Sequence, residues 1–300
     1  MKLISIFFIS LFVLSGCGGS EGSKQGQPFN LGEPYMRATD NEYQMSVKSF
    51  LPANGSGPKV TLVGMIHVGE SSYYNQVQGL IDQANSVLWE AIGGDPQGDS
   101  YATMGSILPS CQTLFQMINH QDTADQLGLV HQQLTYPQGK AVWADLNTEP
   151  LLDQFLKTPF AESKRNEMPN TWNTPKCYQV LWLFKEGLKL NPNPELGRID
   201  FLPGSGNATY TPPASKKTLT RRDLAKIDPK EIEIFPGFDE VLLERRNDVV
   251  LEKLAQVLAY SQGEILIVYG AAHMADIEKR FTKQHNYVPH QEHRLVAFTF

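Results

Sequence analysis

The sequence predicts an α/β fold, in which a central mixed, mainly parallel sheet is flanked by helices and carries a helical insertion. Two observations favour this fold class. Near the amino terminus a strand, a helix and a second strand follow one another within about 35 residues, which is the spacing of a βαβ unit with parallel strands. At both ends of the chain an apolar β-type run closes with the same motif, Gly-x-x-His, which indicates two distant strands of one sheet.

The periodicity of the apolar residues assigns the elements in order. Alternating or continuous apolar runs predict strands, and apolar residues at i, i+3 and i+4 predict helices. In the first part of the chain the predicted elements are a strand over 43–51, a turn over 52–58, a strand over 59–66, a helix over 73–85 and a strand over 87–92. In the last part they are a helix over 238–260, a strand over 264–269, a helix over 274–284 and a closing strand over 294–300.

Residues 95–235 have a different pattern, which predicts the helical insertion. Helical periodicity covers 104–119, 123–134, 149–160 and 178–190, and a stretch rich in Pro, Gly and Ser follows over 191–215. Open α/β sheets bind ligands outside the carboxyl ends of their strands. We therefore expect a single domain over residues 43–300, whose insertion caps this edge of the sheet and shapes a cleft.

Residues 1–16 have the features of a secretory signal peptide. Lys2 precedes an apolar run over 3–14, which is shorter than the roughly 20 residues of a membrane-spanning helix. The next segment, Leu-Ser-Gly-Cys, ends at Cys17 and resembles the lipobox of bacterial lipoproteins. The resemblance implies cleavage before Cys17, diacylglycerol on its thiol and an acylated amine. The alternative is an ordinary secretory signal with an incidental cysteine.

The segment after the lipobox predicts where the protein works. Residues 17–42 are expected to be the lipidated cysteine and a flexible tether, since 18–28 are mostly Gly, Ser and Gln. The chain would then be attached to a membrane through its lipid alone, in the cell envelope and outside the cytoplasm. By resemblance to Gram-negative lipoproteins, Gly18 in place of Asp implies sorting to the outer membrane, with the domain in the periplasm.

Composition narrows the classes of partner and leaves the cysteines open. A formal net charge of −6 gives no support for nucleic-acid binding. With 41% hydrophobic residues, the chain can bury one large core or two modest ones. In an oxidising compartment Cys111 and Cys177 could form a disulfide, and the alternative is two buried free thiols.

Two histidines stand where a functional site is expected. Gly64-x-x-His67 and Gly270-x-x-His273 each follow an apolar run. A glycine at the end of a strand lets the backbone turn sharply, so an imidazole three residues later can project from the strand. Paired imidazoles are good metal ligands and good acid–base groups, whereas a single strand-end histidine is more often a hydrogen-bonded structural residue.

Other polar residues accompany the histidines, and each has a structural alternative. Glu90 ends the run Val87-Leu88-Trp89-Glu90, where a carboxylate is costly to bury unless it is paired or bound to a ligand, and its structural alternative is a salt bridge to an arginine. Asp145 lies in an otherwise apolar tetrapeptide and could also be the N-cap of a helix near Leu146. Glu70, shortly after His67, is a further candidate, although it also suits the first turn of a helix.

The late amphipathic helix carries a basic pair, Arg245 and Arg246, which is followed by Asn247. These residues are candidates for the site because the helix precedes the second Gly-x-x-His motif. The alternative is a solvated helix face with i,i+4 ion pairs.

Together these motifs resemble the TraB/GumN family, which includes the pheromone-shutdown protein of enterococci and the Tiki Wnt proteases. The resemblance spans residues 43–300 and rests on Gly-Met-Ile-His, Leu-Trp-Glu, Arg-Arg-Asn and Gly-Ala-Ala-His-Met, in the family's order. It implies an α/β fold like that of erythromycin esterase and of the haem-binding ChaN lipoproteins. In the Tiki branch it implies a metal-dependent peptidase that uses manganese or cobalt.

The resemblance also assigns roles by position. His67 and His273 would be metal ligands, and Glu90 would be a third ligand or the general base. Arg246, next to Asn247, matches the family arginine and would stabilise an oxyanion. A divalent ion, Mn, Co or Zn, would keep open positions for water and lower the pKa of that water. The alternative has no metal: a histidine acts as the base, and Glu90 and Arg246 orient it.

We therefore expect a lipid-anchored envelope hydrolase, a metal-dependent peptidase that acts on a peptide or an exported protein. An alternative from another class is a ChaN-like lipoprotein that binds haem or an iron ligand without catalysis. Tyr269, just before Gly270, would then be available as an axial ligand. A third alternative is a catalytically inactive scaffold of the envelope.

Overall fold

The computed structural model describes residues 27–91, 121–168, 175–190, 198–202, 207–211, 219–226 and 234–300. The predicted signal peptide and lipobox with Cys17, the helix expected over 104–119, and Cys111 lie outside these ranges. No helix within them combines the length and the apolar character that a membrane crossing requires.

The described residues form strands and helices that alternate along the chain. The strands are β1 (Met36–Ala38), β2 (Glu42–Pro52), β3 (Val60–Met65), β4 (Val68–Gly69), β5 (Ser86–Trp89), β6 (Val130–His131), β7 (Ala141–Trp143), β8 (Arg198–Leu202), β9 (Asn207–Thr211), β10 (Ile265–Gly270) and β11 (Tyr287–Thr299). The α-helices are α1 (Ser71–Gln83), α2 (Gln121–Leu127), α3 (Thr148–Phe155), α4 (Pro159–Ser163), α5 (Lys176–Leu190), α6 (Arg221–Leu224), α7 (Arg245–Leu258) and α8 (Ala271–His285). A π-helical turn, Glu240–Glu244, leads directly into α7.

The central sheet is mixed and largely parallel, which confirms the coarse fold class. Its strands follow the path β1-β2-β3-β10-β5-β7, and β11 also pairs with β2. Strands β3, β10, β5 and β7 run parallel to one another, whereas β1, β3 and β11 are antiparallel to β2. Every residue of β3 and β10 is buried, as expected for parallel strands that are covered on both faces.

The two Gly-x-x-His motifs leave neighbouring strands, as predicted. Their register pairs Gly64 with Tyr269 and places the two chain exits at the same edge of the sheet. Neither Gly64 nor Gly270 has a positive φ, so neither position uses a backbone conformation reserved for glycine. Gly64 is needed for packing instead, because an added Cβ would lie 3.1 Å from the Tyr35 ring and 3.3 Å from the Ala271 Cβ.

Buried apolar side chains form two clusters, one of the two arrangements that the composition allows. The larger one fills both faces of the central sheet beneath α1, α7 and α8. The smaller one lies among α3, α4, α5 and the chain around 234–242, where aromatic rings of Phe155, Phe184, Phe235 and Phe238 contact one another. The middle of the chain therefore has an apolar centre of its own.

The middle of the chain is less uniformly helical than predicted. It contributes β7 to the central sheet, parallel to β5, and β8 pairs with β9 inside the stretch rich in Pro, Gly and Ser. The helix expected over 123–134 ends at Leu127, because Gly128 takes a φ of +60° and the chain continues into β6. The helix expected over 149–160 is two helices, since Thr158 caps α4 and Pro159 begins it.

Residues 29–38 belong to the folded body and not to the tether that was expected over 17–42. Phe29, Tyr35 and Met36 of this segment are buried, whereas Leu31 is exposed. The buried side chains of Lys48 and Glu278 contact the segment from the interior. Glu278 accepts a hydrogen bond of 2.7 Å from the Tyr35 hydroxyl and one of 3.1 Å from Lys48 Nζ. A buried ion pair is stable only if further hydrogen bonds satisfy its remaining polar atoms. The segment supplies such bonds to Lys48 and Glu278, which attaches it to the sheet.

Candidate active site

Predicted site residues meet at the carboxyl ends of four adjacent parallel strands. His67 follows β3, Glu90 follows β5 and Asp145 follows β7. His273 lies in the first turn of α8, immediately after β10, because that helix begins at Ala271 and not at 274 as predicted. The strand order brings these four positions to one edge, where open α/β sheets bind their ligands.

Arg246 lies at the centre of this group. Its Nε and Nη2 donate hydrogen bonds of 2.8 Å to the two carboxylate oxygens of Asp145, and Nη2 also donates to Glu90 Oε1. Its Nη1 donates to the Leu242 carbonyl at 3.2 Å and lies 3.1 Å from His273 Nε2. A guanidinium has five N–H groups, and each of these has an acceptor. All five donors of Arg246 are therefore engaged with protein acceptors, and the oxyanion role that was expected of it stays a prediction.

The neighbouring Arg245 behaves differently. It is about half exposed and pairs with Glu240 and Asp248 on the helix surface. The structural alternative of a solvated helix face therefore describes Arg245, whereas Arg246 is only 2% exposed. The π-helical turn before α7 supplies the Leu242 carbonyl that Arg246 contacts, and such turns are frequent at functional sites.

His273 is a neutral acceptor within the cluster. Its Nδ1 lies 2.7 Å from Asn247 Oδ1, and Asn247 Nδ2 donates to Asp276 Oδ2 at 2.9 Å, which fixes the orientation of the amide. Nδ1 therefore carries the proton, and the Nε2 lone pair accepts from Arg246. Burial, together with the positive charge of Arg246, lowers the pKa of His273 to about 3. It is uncharged at neutral pH.

Glu90 is a stable anion at the rim of the cluster. Burial alone would raise its pKa, but the positive charge of Arg246 and the nearby histidines lower the pKa to about 2. Its Oε1 accepts from Arg246 and its Oε2 accepts from the Gly270 amide. The Glu90 side chain is 10% exposed, against 3% for Arg246 and none for Asp145, so it is the charged group closest to solvent.

His67 lies nearer the surface than Asp145, Arg246 and His273, which are all buried. It is half-buried, and its Nδ1 lies 2.9 Å from Gln132 Oε1. His67 leaves the sheet at the same edge as Glu90 and His273, because β3, β10 and β5 are neighbouring parallel strands. Gln132 was not predicted from the sequence, since it follows β6, a two-residue strand that pairs with β4 across a long separation in the chain.

The remaining candidates have structural partners. Asp145 is not a helix N-cap, since Asn147 holds that position for α3. Glu70 lies outside the cluster at the start of α1, where it accepts hydrogen bonds from the Thr299 amide at 3.0 Å and from Arg221 at 3.0 Å. It therefore connects the end of β11 to α1.

Tyr269 and Cys177 complete the set of predicted residues. Tyr269 is fully buried, and its hydroxyl donates to the Ala144 carbonyl at 3.3 Å. Its ring lies edge-on to His273, with centroids 4.8 Å apart, so it forms a wall of the site and does not reach an open position. Cys177 is in a disulfide. Since Cys111 lies outside the described residues, the pairing of these two cysteines stays a prediction.

The contacts also test whether the expected ligands fit a metal ion. Among the residues that the structure describes, no three His, Cys, Asp or Glu side chains are arranged to hold one. The reason is geometric, because Arg246 donates to Glu90 Oε1 and lies against the lone pair of His273 Nε2. An ion on these two ligands would fit only if Arg246 moved away. Ligation by His67, His273 and Glu90 stays a prediction.

The chain was compared with protein-family models, with curated proteins and with solved structures, and none of the three comparisons found a match. The resemblance to the TraB/GumN family is thus neither supported nor opposed by them.

Proposed function

We propose that this protein is a hydrolase in which His67 activates water beside the Glu90 carboxylate. The observation that carries the proposal is that a half-buried imidazole and a carboxylate anion leave the same edge of the sheet, from β3 and β5. Nδ1 of His67 is engaged by Gln132, and the low pKa of Glu90 keeps its carboxylate ionised. A base and an anion in this relation are the minimum that water activation needs.

The chemistry follows from the two side chains. Nε2 of His67 takes a proton from water while the water oxygen forms a bond to the carbonyl carbon of the substrate. The imidazolium that results is stabilised by the charge of Glu90, which remains ionised because of its low pKa of about 2. The same proton then passes from His67 to the leaving group, whose bond to the carbonyl carbon breaks.

The buried network serves to keep this pair in place. Arg246 and the Gly270 amide each bind one oxygen of Glu90, while Asp145 and His273 bind Arg246. Because these contacts exist before any substrate arrives, the site does not have to reorganise during the reaction.

The sequence suggests a class of substrate and a location in the cell. Resemblance to the TraB/GumN family suggests a peptide or an exported protein as the substrate, and Mn, Co or Zn as the cofactor. No step of the proposed reaction uses a metal, since Arg246 lies against the single lone pair of His273 Nε2 that an ion would need. The lipobox suggests attachment to the cell envelope through Cys17. Haem binding has no support from Tyr269, which is buried.

The experiment measures cleavage of a fluorogenic peptide library and of simple esters by the purified full-length chain. We expect hydrolysis that His67→Asn and Glu90→Gln each reduce by about 10²- to 10⁴-fold, as loss of a general base does. Arg245→Gln is the matched control, because this neighbouring arginine lies on the helix surface, and it should keep full activity.

Three outcomes decide between the alternatives. Full activity in His67→Asn would reject the proposed base. Activity that is lost on dialysis against a chelator and restored by Mn, Co or Zn would show that the reaction needs an ion and that Arg246 gives way to it. A Soret band on addition of haem, without any hydrolysis, would favour the binding lipoprotein.

A further inference from the structure

We propose that Gln132 is a positioning residue of the site, which holds the His67 ring in the Nδ1–H form and so leaves the lone pair on Nε2. This inference rests on the proposed function, because it names the residue that prepares the base. Gln132 does not touch the reacting atoms in this scheme, and it acts through His67.

Two hydrogen bonds join Gln132 to His67. The Gln132 amide N–H donates to the His67 carbonyl at 2.8 Å, and the Gln132 side chain places Oε1 2.9 Å from Nδ1 of the same histidine. The strand pair next to them, Val68 opposite His131, keeps the two segments in register. Backbone and side chain of Gln132 therefore fix both the position and the rotation of the imidazole.

The acceptor decides the tautomer. An amide oxygen can only accept a hydrogen bond, so a neutral imidazole that faces it must carry its proton on Nδ1. With Nδ1 protonated, Nε2 is the nitrogen that can take a proton from water.

The same segment is also fastened to the strand that carries Glu90. Tyr136 stacks on Trp89, the last residue of β5, with ring centroids 4.2 Å apart and an interplanar angle of 17°. Glu90 is the next residue along the chain. The connection from β6 to β7 thus contacts both His67 and the residue that precedes Glu90.

A neutral amide suits this position better than a carboxylate would. The site already holds the Glu90 anion beside His67 and two further acids around it, Asp145 and Asp276. A second charged acceptor on His67 would add repulsion against Glu90, whereas Gln132 orients the ring without adding charge.

The test combines nitrogen-15 NMR of the imidazole with steady-state kinetics, on the purified full-length chain. The chain has seven histidines, and the His67 signals are assigned by their loss in His67→Asn. The variants are Gln132→Leu, which removes the acceptor, and Gln132→Glu, which keeps one. Gln133→Leu is the matched control, since the adjacent Gln133 is exposed. All keep the backbone hydrogen bond to His67.

We expect the wild-type spectrum at alkaline pH to show a protonated Nδ1 and an unprotonated Nε2. In Gln132→Leu the proton should redistribute toward Nε2, and kcat should fall about 10- to 100-fold with little change in KM, as is usual for loss of a group that orients a catalytic histidine. Gln132→Glu should restore the Nδ1–H form and most of kcat, and Gln133→Leu should match the wild type.

The two readouts separate this inference from the proposed function. A proton on Nε2 of His67 in the wild type, or an unchanged tautomer in Gln132→Leu, would overturn the role of Gln132 whatever the activity is. Absence of hydrolysis in every protein, wild type included, would count against the proposed function, while the spectra would still decide the tautomer. If Gln132→Leu fails to fold, Gln132→Asn, which withdraws the amide by one methylene, takes its place.

Discussion

Arg246 and Asp145 form a bidentate ion pair in the interior, with Nε and Nη2 of the guanidinium each 2.8 Å from a carboxylate oxygen. Their side chains are 3% and 0% exposed, so neither charge can be solvated if the other is removed. Bidentate pairs of this kind combine energy with fixed geometry. The pair fixes the position of the Arg246 guanidinium, which also contacts Glu90 and His273.

Removal of one partner should therefore be costly. Asp145→Leu is expected to lower the free energy of unfolding by about 3–5 kcal/mol, because it leaves the Arg246 charge buried and with less compensation. Chemical denaturation monitored by circular dichroism measures the change. The control Arg245→Leu, at a half-exposed position, should stay within about 0.5 kcal/mol of wild type. Equal effects of the two substitutions would contradict the buried pair.

Gly64 offers a second test, which concerns packing. Gly64→Ala should destabilise the fold by about 1–3 kcal/mol, because the new Cβ would lie 3.1 Å from Tyr35 and 3.3 Å from Ala271 in a region where backbone and side chains are closely packed. In Gly79→Ala, where no atom lies within 4 Å of the new Cβ, helix propensity should instead stabilise α1 by up to about 1 kcal/mol. Thermal and chemical denaturation of both variants would show opposite signs, and a neutral Gly64→Ala would refute the packing argument.

The sequence was informative where one local pattern determines the structure. Apolar runs gave β3 and β10, and their shared Gly-x-x-His ending indicated that the two strands are neighbours, which the register confirms. Glu90 and Asp145 were noticed because a charged residue beside an apolar run needs a partner. That partner, Arg246, could not be assigned in the same way, since a basic pair on an amphipathic helix looks the same whether it is solvated or buried.

Residues that act through tertiary contacts had no such signal. Gln132 lies in a short polar segment after β6, and only the pairing of β6 with β4 brings it to His67. The three-residue strand β7 carries too little periodicity to be told from a loop, so the middle of the chain was expected to be helical. The helix after β10 begins three residues early, because the Gly270 amide is satisfied by the Glu90 carboxylate, a contact that is distant in sequence.

Glu70 can be separated from the site by experiment, because its contacts are structural. Glu70→Ala removes hydrogen bonds from the Thr299 amide and from Arg221, which should cost about 1–2 kcal/mol of stability and leave kcat unchanged. Denaturation and peptide hydrolysis are measured on the same preparation, with Glu90→Gln as the active-site comparison. A loss of kcat in Glu70→Ala that matches that of Glu90→Gln would place Glu70 in the site after all.

The dependence of stability on pH tests the protonation states of the cluster. The pKa of His273 is about 3 in the folded protein, whereas an unperturbed histidine in the unfolded chain has a pKa of about 6.5. Between these values the unfolded chain binds more protons than the folded protein, so the free energy of unfolding should fall as the pH decreases. His273 contributes up to about 1.4 kcal/mol per pH unit to this fall, and above about pH 6.5 His273 contributes no pH dependence. The pKa of Glu90, about 2, is likewise below its unfolded value of about 4.3, so Glu90 adds a further loss of stability only below about pH 4.3.

His273→Gln should therefore reduce the pH dependence of the free energy of unfolding between about pH 6.5 and 5, measured by denaturant titration at each pH. His290→Gln, at an exposed position, should leave this pH dependence unchanged. An unchanged slope in His273→Gln would mean that His273 takes up its proton in the folded state, and then it could not be the neutral acceptor for Arg246.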